Sequence, residues 1–290
     1  MSKLDTKLKI AIQKSGRLHE RCVRFIESCG IKFPKNKSVL KAEAHNFPMQ
    51  FLFLRDDDIP ACVAEGVADV GMVGLNEVEE TAENVDIVKR LGFSKCRMSL
   101  AVPKNMEYNG LQDLSGKTIA TSYPRILQNY LKENQVEARV HQISGSVEIA
   151  PSVGMADAVF DIVSSGSTLM SNGLKEIKPT VLKSEAVLIA NRNLDTEQQA
   201  ILDKLTFRMD ALLEAQNFKY LMFNFPTTSK EEIVNIIPGL KSPTIVPLSN
   251  SNWSALHSVV EEDVFWDKID NLKSAGAEDI IVLPIEKIIR

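Results

Sequence analysis

An α/β fold followed by a smaller ferredoxin-like module is what this sequence predicts, and three observations carry the prediction. Short apolar runs alternate with helix-period segments through the first two thirds of the chain, as in parallel sheets with crossover helices. Polar turns follow the apolar runs again and again, where such sheets collect their ligands. Beyond a long helical segment the order becomes strand, helix, strand, strand, helix, strand, which is the βαββαβ order of a ferredoxin-like unit.

Taken in order, Leu8 to Ile12 reads as a strand, with a helix after Gly16 running to about Cys29. Gln50 to Leu54 is the next strand. Asp56, Asp57 and Asp58 then cap a helix whose first turn holds Pro60, where a missing N–H is harmless. Ala68 to Val73 is a buried strand with a Gly71-x-x-Gly74 turn. Residues 92–101 and 180–190 read as extended segments passing between two lobes. Ala158 to Val163 is an apolar strand that enters a Ser-Ser-Gly-Ser-Thr turn and then a helix start. Thr196 to Gln216 is helical, with Ile201, Leu205, Met209, Leu212 and Leu213 on one face. The last module reads Lys219–Phe225 strand, Ser229–Ile237 helix, Thr244–Leu248 and Leu256–Glu261 strands, Asp263–Ala275 helix and Asp279–Leu283 strand.

Composition narrows the function. A chain of 290 residues has room for two or three domains. Net charge is −4 without a Lys/Arg block, which argues against a nucleic-acid surface. Cys22, Cys29, Cys62 and Cys96 form no Cys-x-x-Cys pair and read as reduced thiols rather than a disulfide or zinc framework. The first 15 residues lack an apolar signal core and no run approaches 18 apolar residues, so a cytoplasmic protein with no membrane partner is expected. His19, His45, His141 and His257 share no metal-ligand spacing.

The segment from Asp157 to Leu169 says most about chemistry. Its turn offers backbone N–H groups and four hydroxyls, Gly166 permits close approach, and the helix behind it points a positive end at an anion. A carboxylate near the strand end can accept from sugar hydroxyls. These features suit a sugar phosphate; an ordinary strand, turn and N-cap would use the same residues.

This segment resembles the phosphoribosyl-pyrophosphate (PRPP) loop of the ATP phosphoribosyltransferases, which open histidine biosynthesis. Ile10 to Leu18, Leu54 to Pro60, Cys96 to Ala101, Ala120 to Pro124, Gly145 to Pro151 and Leu283 to Lys287 resemble further family segments, in family order. The resemblance implies a long-form enzyme with two lobes like those of periplasmic binding proteins and a C-terminal ferredoxin-like (ACT-like) domain that senses L-histidine. It places residues 1–95 and 182–217 in one catalytic lobe, 96–181 in the second and 218–290 in the regulatory domain. The implied substrates are ATP and PRPP with Mg²⁺ carried mainly by substrate phosphates, and the implied assembly is a homo-oligomer, dimer or hexamer.

Carried onto this chain, the resemblance gives Ser164, Ser165, Gly166, Ser167 and Thr168 the 5′-phosphate. Asp161 and Asp157 match the motif's acids; Asp161 lies nearer the turn, and Asp157 equally suits a surface or hinge position. Arg55 suits phosphate binding, or a salt bridge to Asp56–Asp58. Gln13, Lys14, Ser15, Gly16 and Arg17 form a second polar turn for ATP or diphosphate, or a solvated basic turn. Tyr123 resembles the adenine-side aromatic, with a plain turn before Pro124 as the alternative. Glu148 suits a ribose hydroxyl, a purine amine or a helix cap. Asn224, Ser242 and Thr244 are the implied effector contacts. Two departures stand out: Leu75-Asn76-Glu77 follows Gly74 where many long-form members read Gly-Glu-Asn, and Asn224 replaces an acid found in some. The competing readings are a two-lobed binding protein without catalysis and an inactive regulatory subunit.

Overall fold

The computed structural model describes residues 6–35 and 39–290, in two compact units, 1–203 and 204–290. The first unit opens with β1 (Leu8–Gln13), α1 (Arg17–Ser28), β2 (Lys41–Glu43), β3 (Met49–Leu54), α2 (Ile59–Ala64), β4 (Val70–Gly74), α3 (Leu75–Thr81) and β5 (Val85–Arg90). Leu8, Ile10, Ala11 and Ile12 are all buried, as in a strand covered on both faces. In α1 the buried Cys22, Val23, Phe25 and Ile26 make the single apolar stripe of a helix lying on a sheet. Gly71 lies within β4 rather than in a turn. A Cβ there would fall 2.6 Å from Ile59 and 3.0 Å from Val63, so the glycine lets α2 lie close against the strand.

A second sheet follows: β6 (Cys96–Pro103), β7 (Thr118–Thr121), α4 (Pro124–Glu133), β8 (Arg139–Gln142), β9 (Ala158–Val163), α5 (Ser167–Ser171), β10 (Leu174–Glu176) and β11 (Leu182–Ser184). The chain then returns through β12 (Ala186–Asn191) to the first sheet and continues into α6 (Thr196–Ala215). Strand orders are β2-β3-β1-β4-β12-β5 and β10-β6-β9-β7-β8, with β11 also on β6. The sheets are mixed, not parallel as expected. β12 runs antiparallel to β4 and β5, and β6 antiparallel to β9. The cause is the double crossing: a strand entering a lobe from the cleft must run against strands that lead out toward it. Leu182–Ser184, expected with the first lobe, still pairs with β6 in the second sheet. The crossing segments are tied together where the Ala186 N–H donates to Phe93 and its carbonyl accepts from Leu91. Both sheets therefore aim strand ends at one cleft.

The second unit holds β13 (Phe218–Pro226), α7 (Lys230–Ile236), β14 (Thr244–Pro247), β15 (Trp253–Glu261), α8 (Glu262–Ser274) and β16 (Glu278–Pro284). Its sheet order, β14-β15-β13-β16, is wholly antiparallel, which is the ferredoxin-like arrangement. Leu221, Phe223 and Phe225 alternate inward along β13 and form the core with Ile233 of α7 and Phe265 and Leu272 of α8. Among the described residues, no helix is long and apolar enough to cross a membrane.

Candidate active site

A cavity of about 500 Å³ opens between the two sheets, lined among others by Gln13, Arg17, Asp56, Asn76, Glu77, Ser164 and Ser184. These come from the ends of β1, β3, β4, β9 and β11. Arg17, Arg21 and Lys95 give it positive charge despite the acidic chain. A neighbouring cavity of about 500 Å³ shares Lys95, Cys96, Ser164 and Ser184 and adds Arg90, Arg97 and Lys183.

On the second lobe the Ser164–Thr168 turn follows β9 directly. Gly166 has φ +82°, a left-handed conformation that suits glycine and leaves the turn open. Oγ of Ser165 and Oγ of Ser167 are 2.9 Å apart. The turn is braced from behind: Arg97 donates to the Ser164 carbonyl at 2.9 Å, and its fork is gripped by Glu176 at 2.6 and 2.5 Å. The helix behind the turn has only five residues, so its dipole is small and the backbone N–H groups carry the anion-binding character.

Asp161 shares its strand face with Val159 and Val163, which pack against Val147 beside Glu148. Burial pushes its carboxyl up to about 6; the Ile162 N–H it accepts opposes this and the nearby Glu148 adds to it. Asp157 is at the other end of β9, about 20 Å from the turn at ~3.3 Å per residue. There it accepts the Thr118 N–H at 2.8 Å and faces Lys117, a brace between strands rather than a sugar ligand. Of the two readings the sequence offers for Asp157, this is the surface one, away from the turn.

On the first lobe, Gln13 donates to Asp56 at 3.0 Å and its carbonyl meets the His19 ring at 2.6 Å. Gly16, at φ +99°, opens α1 without a side-chain cap. Lys14, Ser15 and Gly16 line a different, largely apolar cavity with Phe33 and Phe53, so the structure divides this turn between two hollows. The three aspartates are not caps as expected. Asp58 at the N-cap makes no side-chain cap bond, Asp56 holds Gln13, and Asp57 holds Arg55. Arg55 is exposed and bonds Asp57 through both Nε and Nη2, at 3.0 and 2.8 Å.

Tyr123 reaches across the cleft. Its Oη donates to Glu77 Oε1 at 2.9 Å while its ring packs on the second lobe's core. Burial pushes its phenol far above the ordinary value, and Glu77 adds to the shift. In the second unit, Asn224 donates to Asp279 at 3.1 Å. Asn224 and Thr244 sit on strands flanking β15 with a two-residue offset, about 12 Å apart from strand spacing and rise. Within one chain they do not meet, and Ser242 precedes Thr244 in the connecting loop.

Comparison with known proteins decides the family. Residues 55–211 match the model "HisG: ATP phosphoribosyltransferase" and 215–287 the model "HisG, C-terminal domain". A protein of Cytophaga hutchinsonii called ATP phosphoribosyltransferase is 55% identical over 287 residues, 99% of this chain and all of that one. The chain belongs to the ATP phosphoribosyltransferase family. A Bacteroides fragilis member is 54% identical over 282 residues, 97% of this chain and 99% of its own. A chain of the ATP phosphoribosyl transferase (HisG:HisZ) complex from Thermotoga maritima superposes with a TM-score of 0.59 at 27% identity, over 70% of this chain and 98% of that one. A histidine kinase sensor domain similar to periplasmic binding proteins has a TM-score of 0.50 at 12% identity, over 72% and 90%, which shows the two-lobed fold alone. As a member of the ATP phosphoribosyltransferases, this is a pentosyl-transferring enzyme of histidine biosynthesis.

Sequence reasoning passed over several groups at this ATP phosphoribosyltransferase cleft. Arg97 and Glu176 lie 79 residues apart and meet only because β6 and β10 are paired. Ser184 and Asn76, 108 apart, meet at the return crossing. The available signal was position: Leu75-Asn76-Glu77 directly follows a strand end, where ligands gather.

Proposed function

We propose that the enzyme joins N1 of the ATP adenine to C1 of the PRPP ribose, releasing diphosphate and giving N1-(5-phosphoribosyl)-ATP. Positive charge grows on the ribose and negative charge on the departing diphosphate, so the protein's task is positioning and electrostatic stabilisation. The observation that carries this reading is the braced, open turn Ser164–Thr168 at the mouth of a cleft lined by Arg17, Arg21 and Lys95. The turn takes the 5′-phosphate, Asp161 takes ribose hydroxyls, and Gln13 to Arg17 with Arg55 meet polyphosphate oxygens. Arg55 does so by exchanging its Asp57 partner for the diphosphate. Tyr123 and Glu148 flank the purine. Among the described residues no group of three or more carboxylate, thiol or imidazole side chains is arranged to hold a metal. A divalent ion such as Mg²⁺ is then carried mainly by the oxygens of the diphosphate, whose charge it offsets on departure.

In the same reading residues 1–95 with 182–217 and residues 96–181 form the catalytic lobes. Residues 218–290 bind L-histidine as feedback inhibitor, with Asn224 of one subunit meeting Ser242 and Thr244 of another in a homo-oligomer. The separation of Asn224 from Thr244 within one chain supports a pocket shared between subunits. The test mixes protein, Mg²⁺, ATP and PRPP and follows the phosphoribosyl-ATP chromophore, with and without histidine. Product that forms and is suppressed by histidine supports the reading. No product with either metal-loaded or metal-free PRPP overturns it, and leaves a two-lobed binding protein.

A further inference from the structure

Glu77 is a charged side chain of the cleft to which the reaction above gives no task. It stands in the first turn of α3, on the first lobe, and is 8% exposed. One oxygen, Oε1, accepts from Tyr123 Oη at 2.9 Å, across the cleft, and from Asn76 Nδ2 at 2.8 Å. Asn76 is itself fixed: its N–H donates to Ser184 Oγ at 3.1 Å and its Oδ1 accepts from the same hydroxyl at 2.8 Å. Gly74 makes this possible, since a Cβ there would strike the Asn76 amide oxygen. An amide of its own helix and an aromatic of the other lobe thus converge on one carboxylate oxygen, and a crossing segment holds that amide through Ser184. Ser184 Oγ, by accepting the Asn76 N–H, caps the start of α3, whereas the Tyr123–Glu77 bond caps neither α3 nor α4.

We propose that Glu77 is a positioning residue: from the first lobe it fixes the Tyr123 phenol of the second, and so sets the ring against which the purine of ATP packs. This rests on the ATP-side reading of Tyr123 given above. The phenol has one proton to donate, and a carboxylate acceptor roughly doubles the strength of such a bond over a neutral one. The grip therefore depends on the charge of Glu77. Groups facing it are Asp56 and Asp57 after β3, Glu80 on its own helix and Tyr123 opposite, with Arg17, Arg21 and Lys95 on the same cavity. Burial first, then the three acids, push its carboxyl up to about 7, against the pull of the Tyr123 bond. Its charge, and with it the hold on Tyr123, changes across neutral pH.

The test is a double-mutant cycle on the full-length enzyme. Tyr123→Phe and Glu77→Ala should each raise KM for ATP about fivefold, the worth of one hydrogen bond near 1 kcal/mol, with KM for PRPP and kcat within twofold. The double variant should be no worse than either single one. Glu77→Gln keeps an acceptor oxygen and should recover part of the loss. Its KM for ATP should hold steady between pH 6 and 8 while the parent's rises on acidification. The ratio of the two cancels the titration of the nucleotide. Additive effects, or equal increases in KM for both substrates, would overturn the proposal; so would parallel pH profiles of parent and Glu77→Gln. Where Glu77→Ala does not fold, Tyr123→Phe and Glu77→Gln decide alone. Amide hydrogen exchange of the substrate-free protein separates this inference from the functional one. Exchange at residues 75–81 and 124–127 should quicken in Tyr123→Phe. Unchanged exchange removes the clasp whatever the reaction, whereas a parent without turnover but with quickened exchange in the variant removes only the functional reading.

Discussion

The Ser164–Thr168 turn and the Asn76–Glu77–Tyr123 cluster border the same cavity and are built in opposite ways. The turn is contiguous, exposed and rich in hydroxyls, and its shape is set by one glycine at positive φ. The cluster is assembled from residues 76, 77, 123 and 184, largely hidden, and its shape is set by which strands cross between sheets. A contiguous site can be kept by a short motif. An assembled one depends on the whole lobe arrangement.

Predictions follow from setting one construction against the other. The largest effect is expected at Arg55, which belongs to neither. Arg55→Lys loses the planar fork now held by Asp57, and kcat/KM should drop roughly ten- to a thousandfold if that fork moves to the diphosphate; steady-state rates check this, and parental rates return Arg55 to a plain salt bridge. Gly166→Val tests the contiguous site. A β-branched residue at φ +82° is strained by about 1–3 kcal/mol, so titrations should find PRPP bound roughly ten- to a hundredfold more weakly and ATP unchanged. Equal losses for both ligands would mean that the turn and the cluster are not separate devices.

Asp161 offers a pH test. Burial pushes the Asp161 carboxyl up to about 6, so it is ionised above that pH, the form the proposed contact with ribose hydroxyls needs. kcat/KM for PRPP should fall about tenfold per pH unit below 6 and level off above it. Asp161→Asn should be low and flat; a parental profile in that variant removes Asp161 from the site. In the second unit, Thr244→Val keeps shape and deletes a hydroxyl, so inhibition by histidine should weaken about fivefold, one hydrogen bond's worth. Inhibition curves that superimpose place the effector elsewhere. Smallest is Glu80→Ala. Glu80 of α3 accepts the Arg125 and Ile126 N–H groups at the start of α4, at 2.9 and 3.0 Å. Loss of a cap costs about 0.5–2 kcal/mol, a lowering of Tm by a few degrees in calorimetry, with rates little altered.

The contrast also explains what the sequence made legible. The strand Ala158–Val163 and the helices from 196 and 263 were readable to within a residue or so, because apolar period and turn chemistry are local. The phosphate turn was readable for the same reason. Mixed strand direction was not, since an apolar run reads alike in either direction. Asp161 is the nearer to the turn in sequence already; the partners of Asp157, Thr118 and Lys117, were not legible, because they lie at the start of a neighbouring strand. Asp56–Asp58 looked like caps because acids before Pro60 usually are, but Gln13 of β1 holds Asp56, Arg55 holds Asp57, and Asp58 at the N-cap makes no side-chain cap bond. Glu77 gave no sign of its partner, as its bond spans 46 residues and two sheets.

The place of β12 carries a consequence for how the molecule is made. It lies between β4 and β5, yet the chain reaches it only after nearly a hundred further residues. On the ribosome the first sheet must therefore wait, with the edges of β4 and β5 unpaired, until the second lobe has emerged. Contacts so distant along the chain fold slowly and leave strand edges open to wrong partners in the interval. A cut at the first crossing, near residue 95, would release a fragment whose central gap nothing fills. The enzyme is accordingly one folding unit across both lobes, and its cleft comes into being as the last strand arrives.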